Sequence, residues 1–131
     1  MTDLGKMHYF LGIEVKQTTS GIFVGQKRYV EAMLQRFHMI DCNVVQNPIV
    51  LGTKLTKDTS GKKVDNTRLK QIVGSLMYLS NTHLNLMNVV SLISRFMESP
   101  TEAHLQTVKR VLRYLKGTTD YGLFYRKGLK E

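Results

Sequence analysis

Tryptophan is absent from this chain of 131 residues, cysteine occurs once and proline twice. With Cys42 alone, no intrachain disulfide can form, and the residue reads as a small, partly buried hydrophobe. No apolar run approaches the roughly 18 residues that cross a bilayer. The opening MTDLGKMHYFLG lacks the charged start, apolar stretch and small-residue cleavage site of a secretory signal. These shortfalls lead us to expect an intracellular protein with no membrane partner. Acidic residues are scarce as well, 10 against 19 Lys and Arg. None of them adjoins another, so a metal-holding carboxylate pair is not expected. The glycines form neither a GxGxxG nor a GxxxxGK[ST] phosphate loop. His8, His38, His83 and His104 are scattered, without a Cys or acid at ligand spacing. The expectation is therefore no catalytic residue, no metal ligand and no cofactor.

What remains is informative. Apolar residues make up 42% of the chain, enough to build a core, and the formal net charge is +9. A basic excess favours a polyanionic partner, because every neutralised phosphate releases condensed counterions. The run from Met7 to Val15 is apolar and β-rich, and predicts a strand. Turn residues 17–21 follow, and Ile22 to Val24 predicts a return strand, which together make a β-hairpin. Val30, Met33, Leu34 and Phe37 share a helical face over 27–38. Residues 41–65 predict a long connection holding Pro48, Gly52 and Gly61, of a length that is unusual inside a compact domain unless functional.

The second half predicts three helices. Leu69, Ile72, Val73, Leu76 and Leu79 mark the first, with Asp65 or Asn66 as N-cap. Leu86, Val89, Val90, Ile93, Phe96 and Met97 mark the second. The third runs over 101–116, with Ser99-Pro100-Thr101-Glu102 as a capping box, Pro at the first helical position and Lys116-Gly117 as its stop. Residues 121–125 predict a short strand with no visible partner in the chain. The fold class is α+β, mainly α: an N-terminal hairpin (1–26), a first helix (27–40), a long loop (41–65), a helical bundle (66–118) and a terminal strand (119–131).

Basic residues fall into two sets. On a helical wheel Lys109, Arg113 and Lys116 form a stripe beside the apolar face of 101–116, and Arg110 widens it. Lys27, Arg28 and Arg36 sit on the first helix. Both sets fit phosphate contact, and both fit ordinary solvated faces whose stems cover apolar surface.

Several stretches resemble the copia-type retrotransposon reverse transcriptases. These are Tyr9-Phe10-Leu11-Gly12-Ile13-Glu14-Val15, Gly21-Ile22-Phe23-Val24 with Gln26-Lys27-Arg28-Tyr29-Val30, and Val73-Gly74-Ser75-Leu76-Met77-Tyr78-Leu79. Arg95-Phe96-Met97, Pro100, His104-Leu105 and Arg113-Tyr114-Leu115-Lys116-Gly117-Thr118 continue the series. The resemblance implies a primer-grip hairpin, in which Phe10, Leu11 and Gly12 face the primer end, followed by a thumb. It implies that Lys27, Arg28, Lys109, Arg110 and Arg113 meet the phosphates of an RNA or DNA template–primer duplex. It also implies a segment lying between the catalytic palm and ribonuclease H, so that Mg would belong to a palm elsewhere and those two parts would be partners. The chain departs from the family at Thr82-His83-Leu84-Asn85, where Thr-Arg-Pro-Asp is usual, and at Gly25, where Ser is usual. Two alternatives stay open: a self-contained basic helical DNA-binding domain, and a folded relic or scaffold without activity.

Overall fold

A computed structural model describes residues 7–10, 12–49 and 63–126. Four strands and four α-helices run in the order β1 (Met7–Phe10), β2 (Ile13–Gln17), β3 (Gly21–Gly25), α1 (Lys27–Arg36), α2 (Asn66–Leu79), α3 (Met87–Ser94), α4 (Glu102–Lys116) and β4 (Gly122–Arg126). A single 3-10 turn, Leu84–Leu86, leads into α3. The expected class, mainly helical with an N-terminal hairpin and a C-terminal strand, is what the chain adopts.

The sheet is larger than the hairpin expected. The run from Met7 to Val15 is two strands rather than one, broken at Gly12, whose φ of +79° lies in the left-handed region. Phe10 then faces Ile13 across a tight antiparallel hairpin. At the next turn the Thr18 amide donates to the Gly21 carbonyl at 2.8 Å. The terminal strand is not an orphan. β4 pairs antiparallel with β3, Phe23 opposite Phe124 and Gly25 opposite Gly122, closing a sheet of order β1-β2-β3-β4. Local periodicity cannot reveal a partner at the other end of the chain, and the expectation of an unpaired strand fails for that reason.

The core is helical. Every fully buried hydrophobic among the described residues lies between Val30 and Leu115. Val30, Met33 and Leu34 from α1 meet Leu69, Ile72, Val73, Leu76 and Leu79 from α2, Val89, Val90 and Ile93 from α3, and Val108, Val111, Leu112 and Leu115 from α4. Each such side chain contributes about 1.5–3 kcal/mol by leaving water. The sheet flanks this core. Its apolar side chains Ile13, Val15, Phe23, Val24 and Leu123 are only half-buried, and Ile22 and Tyr125 are exposed.

The helix ends follow recognisable chemistry. Asp65 caps α2, accepting from the Thr67 amide at 3.2 Å. α1 closes in a Schellman motif: His38 adopts φ +59°, its amide donates to Gln35 and that of Met39 to Leu34. α3 is shorter than its apolar spacing predicts, ending at Ser94, so Phe96 and Met97 pack from turns. At α4 the cap differs from expectation. Thr101 is the N-cap and His104 its capping-box partner, with the Thr101 amide donating to His104 Nδ1 at 2.9 Å. Pro100 therefore precedes the helix, and its carbonyl accepts from the Val64 amide instead.

Candidate nucleic-acid interface

Gly12 sits at the tip of the β1–β2 hairpin. A Cβ there would lie 3.3 Å from the Tyr78 hydroxyl and 3.7 Å from the Tyr29 ring. Those two rings pack edge-to-face, with centroids 4.9 Å apart. The close approach that this glycine allows is therefore to the chain's own tyrosines on α1 and α2. Leu11 and the side chain of Phe10 lie outside the described residues.

Lys27 and Arg28 occupy the first turn of α1, and both are exposed. Cations are disfavoured there, because the free amides carry about half a positive charge. Gln26, the N-cap, makes no side-chain cap bond. Glu14 on β2 substitutes for one: its carboxylate, 5% exposed, accepts from the Arg28 amide at 2.5 Å. The carboxylate that stabilises this helix start comes from another element, and local sequence carries no sign of it.

The basic face of α4 proves to be a clasp. Arg110 Nε donates to the Asn47 carbonyl at 3.1 Å, Arg113 Nε to Asn43 at 2.8 Å and Lys116 Nζ to Cys42 at 2.7 Å. These three side chains hold residues 42–47, in the first described part of the long connection, against the bundle. Val44 packs where a side chain at Gly117 would have to go. That contact, rather than a left-handed φ, is why glycine suits the helix stop. The wheel grouped Lys109 with Arg113 and Lys116, but the clasp uses Arg110. Lys109 instead borders a cavity of about 300 Å³ lined by Phe37, Leu69 and Arg68. Of the expected contact residues that the structure describes, Gly12 and the Lys27–Arg28 pair sit by the sheet, Lys109 borders the cavity, and Arg110 and Arg113 serve the loop.

A buried polar joint escaped sequence reasoning altogether. Thr82 Oγ1 donates to Gln26 Oε1 at 2.6 Å. His83 Nε2 lies 3.0 Å from the Thr118 carbonyl, which can only accept, so this nitrogen carries the ring proton. Burial pushes the His83 imidazole below its ordinary value, and the Thr118 bond partly opposes that. The Asn85 amide donates to the Tyr114 hydroxyl. The segment 82–85, which departs from the family pattern, is thereby tied to α1 and α4 by its own set of bonds. No group of three or more metal-ligating side chains converges among the described residues. No helix among them is long and apolar enough to cross a membrane.

Known proteins show what this chain is similar to. The reverse transcriptase (RNA-dependent DNA polymerase) family matches residues 1–51. The remainder is similar to the same kind of protein. A retrovirus-related Pol polyprotein from transposon RE1 of Arabidopsis thaliana is 43% identical over 96% of this chain, which covers 9% of that protein. The Pol polyprotein from transposon TNT 1-94 of Nicotiana tabacum is 34% identical over 91% of the chain, or 10% of its own length. An uncharacterized mitochondrial protein of Arabidopsis thaliana is 40% identical over 99% of the chain, which spans 54% of it. The chain thus corresponds to a reverse transcriptase segment of retrotransposon Pol polyproteins of the copia type and spans only a small part of them. No solved structure matches it.

Proposed function

We propose that this chain is the grip-and-thumb portion of a retrotransposon reverse transcriptase, without polymerase chemistry of its own, and that it holds a template–primer duplex. Alignment of nearly the whole chain with one Pol polyprotein segment carries this reading. The charge of +9 supports it. Lys27 and Arg28 are the strongest candidates for phosphate contact. They are exposed at a helix N-terminus, where side-chain charge and backbone dipole add. Arg110 and Arg113 contribute through what their guanidinium groups offer beyond Nε, and Lys109 from its separate position. Phe10, Leu11 and Gly12 line the approach to the primer end. The contacts are sequence-independent, and any Mg is held by carboxylates in the palm.

A second feature favours assembly with that palm. One face of the sheet carries Ile13, Val15, Ile22, Val24, Leu123 and Tyr125, alternate residues of paired strands, and none of them is buried. A half-dry sheet face of this kind is suited to packing on another protein layer. The catalytic part of the same polyprotein is the partner we assign to it, with ribonuclease H beyond.

Binding of the purified chain to a primer–template duplex, titrated with salt, tests the grip. With about four phosphate contacts the slope of log K against log salt is about −3.6. Lys27→Ala with Arg28→Ala should weaken binding equally for all sequences and flatten the slope by about 1.8. No binding at low salt, or binding indifferent to salt, refutes the reading. Primer extension by the chain alone should be undetectable.

A further inference from the structure

β4 forms one edge of the sheet. Among the described residues it pairs with β3 on one side, and no strand lies along its other side. We propose that this edge takes the same edge of a second copy of the chain, antiparallel, so that the two sheets become one. The joint uses none of the residues assigned to the duplex and does not depend on that reading.

The edge lacks the usual guards. Exposed edge strands are ordinarily protected by proline, bulges or charged side chains. Gly122-Leu123-Phe124-Tyr125-Arg126 has no proline and a single charge, at its last residue. Phe124 is 49% and Tyr125 59% exposed, and as neighbours on a strand they project from opposite faces of the sheet. Aromatic rings on both faces flank a row of backbone groups that have no strand to bond.

The strand's own sequence fits a second copy. With a two-fold axis at Phe124, that residue stands opposite itself and Leu123 stands opposite Tyr125 of the second copy. Phe23 already faces Phe124 across β3 and β4. The joint sheet therefore carries Phe23 and Phe124 of both copies in one cross-strand row, and aromatic pairs of this kind hold adjacent strands together. Arg126 falls opposite Gly122 rather than another arginine, so no like charges meet. The Phe23 ring lies over Gly122, which brings Arg126 of the second copy beside an aromatic face. A two-fold joint also closes on itself, whereas β4 set against β1 of the next copy would propagate.

Charge sets the strength of the pair. Each copy carries a formal net charge of +9, and the edge is only five residues long. Like-charge repulsion opposes the joint, so the dimer is weak and screening strengthens it. Its salt dependence is the reverse of that for duplex binding.

Sedimentation equilibrium of the full chain at roughly millimolar concentration tests the joint. A monomer–dimer equilibrium should appear, tightening severalfold between about 0.05 M and 0.5 M salt. Phe124→Lys sets two cations opposite each other and should weaken the dimer about tenfold. Circular dichroism checks that this variant, made at a half-exposed position, keeps its fold. Register is read by oxidation with oxidised glutathione in a Cys42→Ser background. Leu123→Cys mixed with Tyr125→Cys should give a disulfide-linked dimer, and neither chain alone should match it. That cross-link leaves Phe124 in place, and so decides the register even where Phe124→Lys disturbs β4. A chain that stays monomeric at every salt concentration, or a dimer that weakens as salt rises, overturns the proposal. A dimer that survives Phe124→Lys but is lost in Ile22→Lys overturns it too, because Ile22 lies on β3, inside the sheet, and exposes only its face.

Discussion

Removing the Glu14 carboxylate should cost this fold about 2 kcal/mol, although Glu14 lies on a strand and the damage falls on a helix. The carboxylate is 5% exposed and meets the Arg28 amide at 2.5 Å. Gln26 gives α1 no side-chain cap, and the first turn contains no acid. A hydrogen bond to a charged group is worth about 1.5–3 kcal/mol. The interaction of that charge with the helix dipole adds about 0.3–1 kcal/mol. Desolvating the carboxylate offsets part of this, which leaves about 2 kcal/mol for Glu14→Ala. Glu14→Gln keeps an acceptor but loses the charge, and should cost about 1 kcal/mol. Urea unfolding followed by helical circular dichroism measures both. With a slope of about 2 kcal/mol per molar, Glu14→Ala should move the midpoint down by about 1 M. The loss should survive raised salt, because a buried pair is poorly screened. If both variants unfold within about 0.3 kcal/mol of the parent, the α1 terminus is not held by β2 and the reasoning fails.

Three further outcomes follow from local geometry. Gly74 is exposed inside α2 with nothing within 4 Å of where its Cβ would stand, so Gly74→Ala should stabilise by about 0.5–1 kcal/mol, read from the same urea curves. His38 holds φ +59° at the end of α1, so His38→Gly should raise stability by up to about 1 kcal/mol; a lower melting temperature would show that its side chain matters more than its backbone. Burial holds the His83 imidazole below the ordinary 6.5, so the unfolded chain binds the extra proton more readily. That contribution to stability is complete above pH 6.5 and is lost as pH falls from there toward the lowered folded value. His83→Gln should flatten this stretch of the stability–pH curve, and an unchanged curve would mean that His83 does not titrate on unfolding.

The helices were legible because helix formation is local. Leu69, Ile72, Val73, Leu76 and Leu79 recur at the period of the helix itself, and Asp65 caps α2 from the residue next to it. The ordered motifs resemble those of reverse transcriptases, and the relatives are of that kind. Tertiary structure decided what the polar residues do. The strand at Gly122–Arg126 finds β3 across nearly the whole chain. Arg113 and Lys116 fall on a basic stripe of the wheel that Arg110 widens, yet Arg110, Arg113 and Lys116 donate to carbonyls of Asn47, Asn43 and Cys42. His83 and Gln26 are buried in the fold, where they meet Thr118 and Thr82, partners distant in sequence. Apolar periodicity records which side of an element faces inward. The partner of a hydrogen bond depends on which distant backbone arrives within about 3 Å, and only the folded chain fixes that distance.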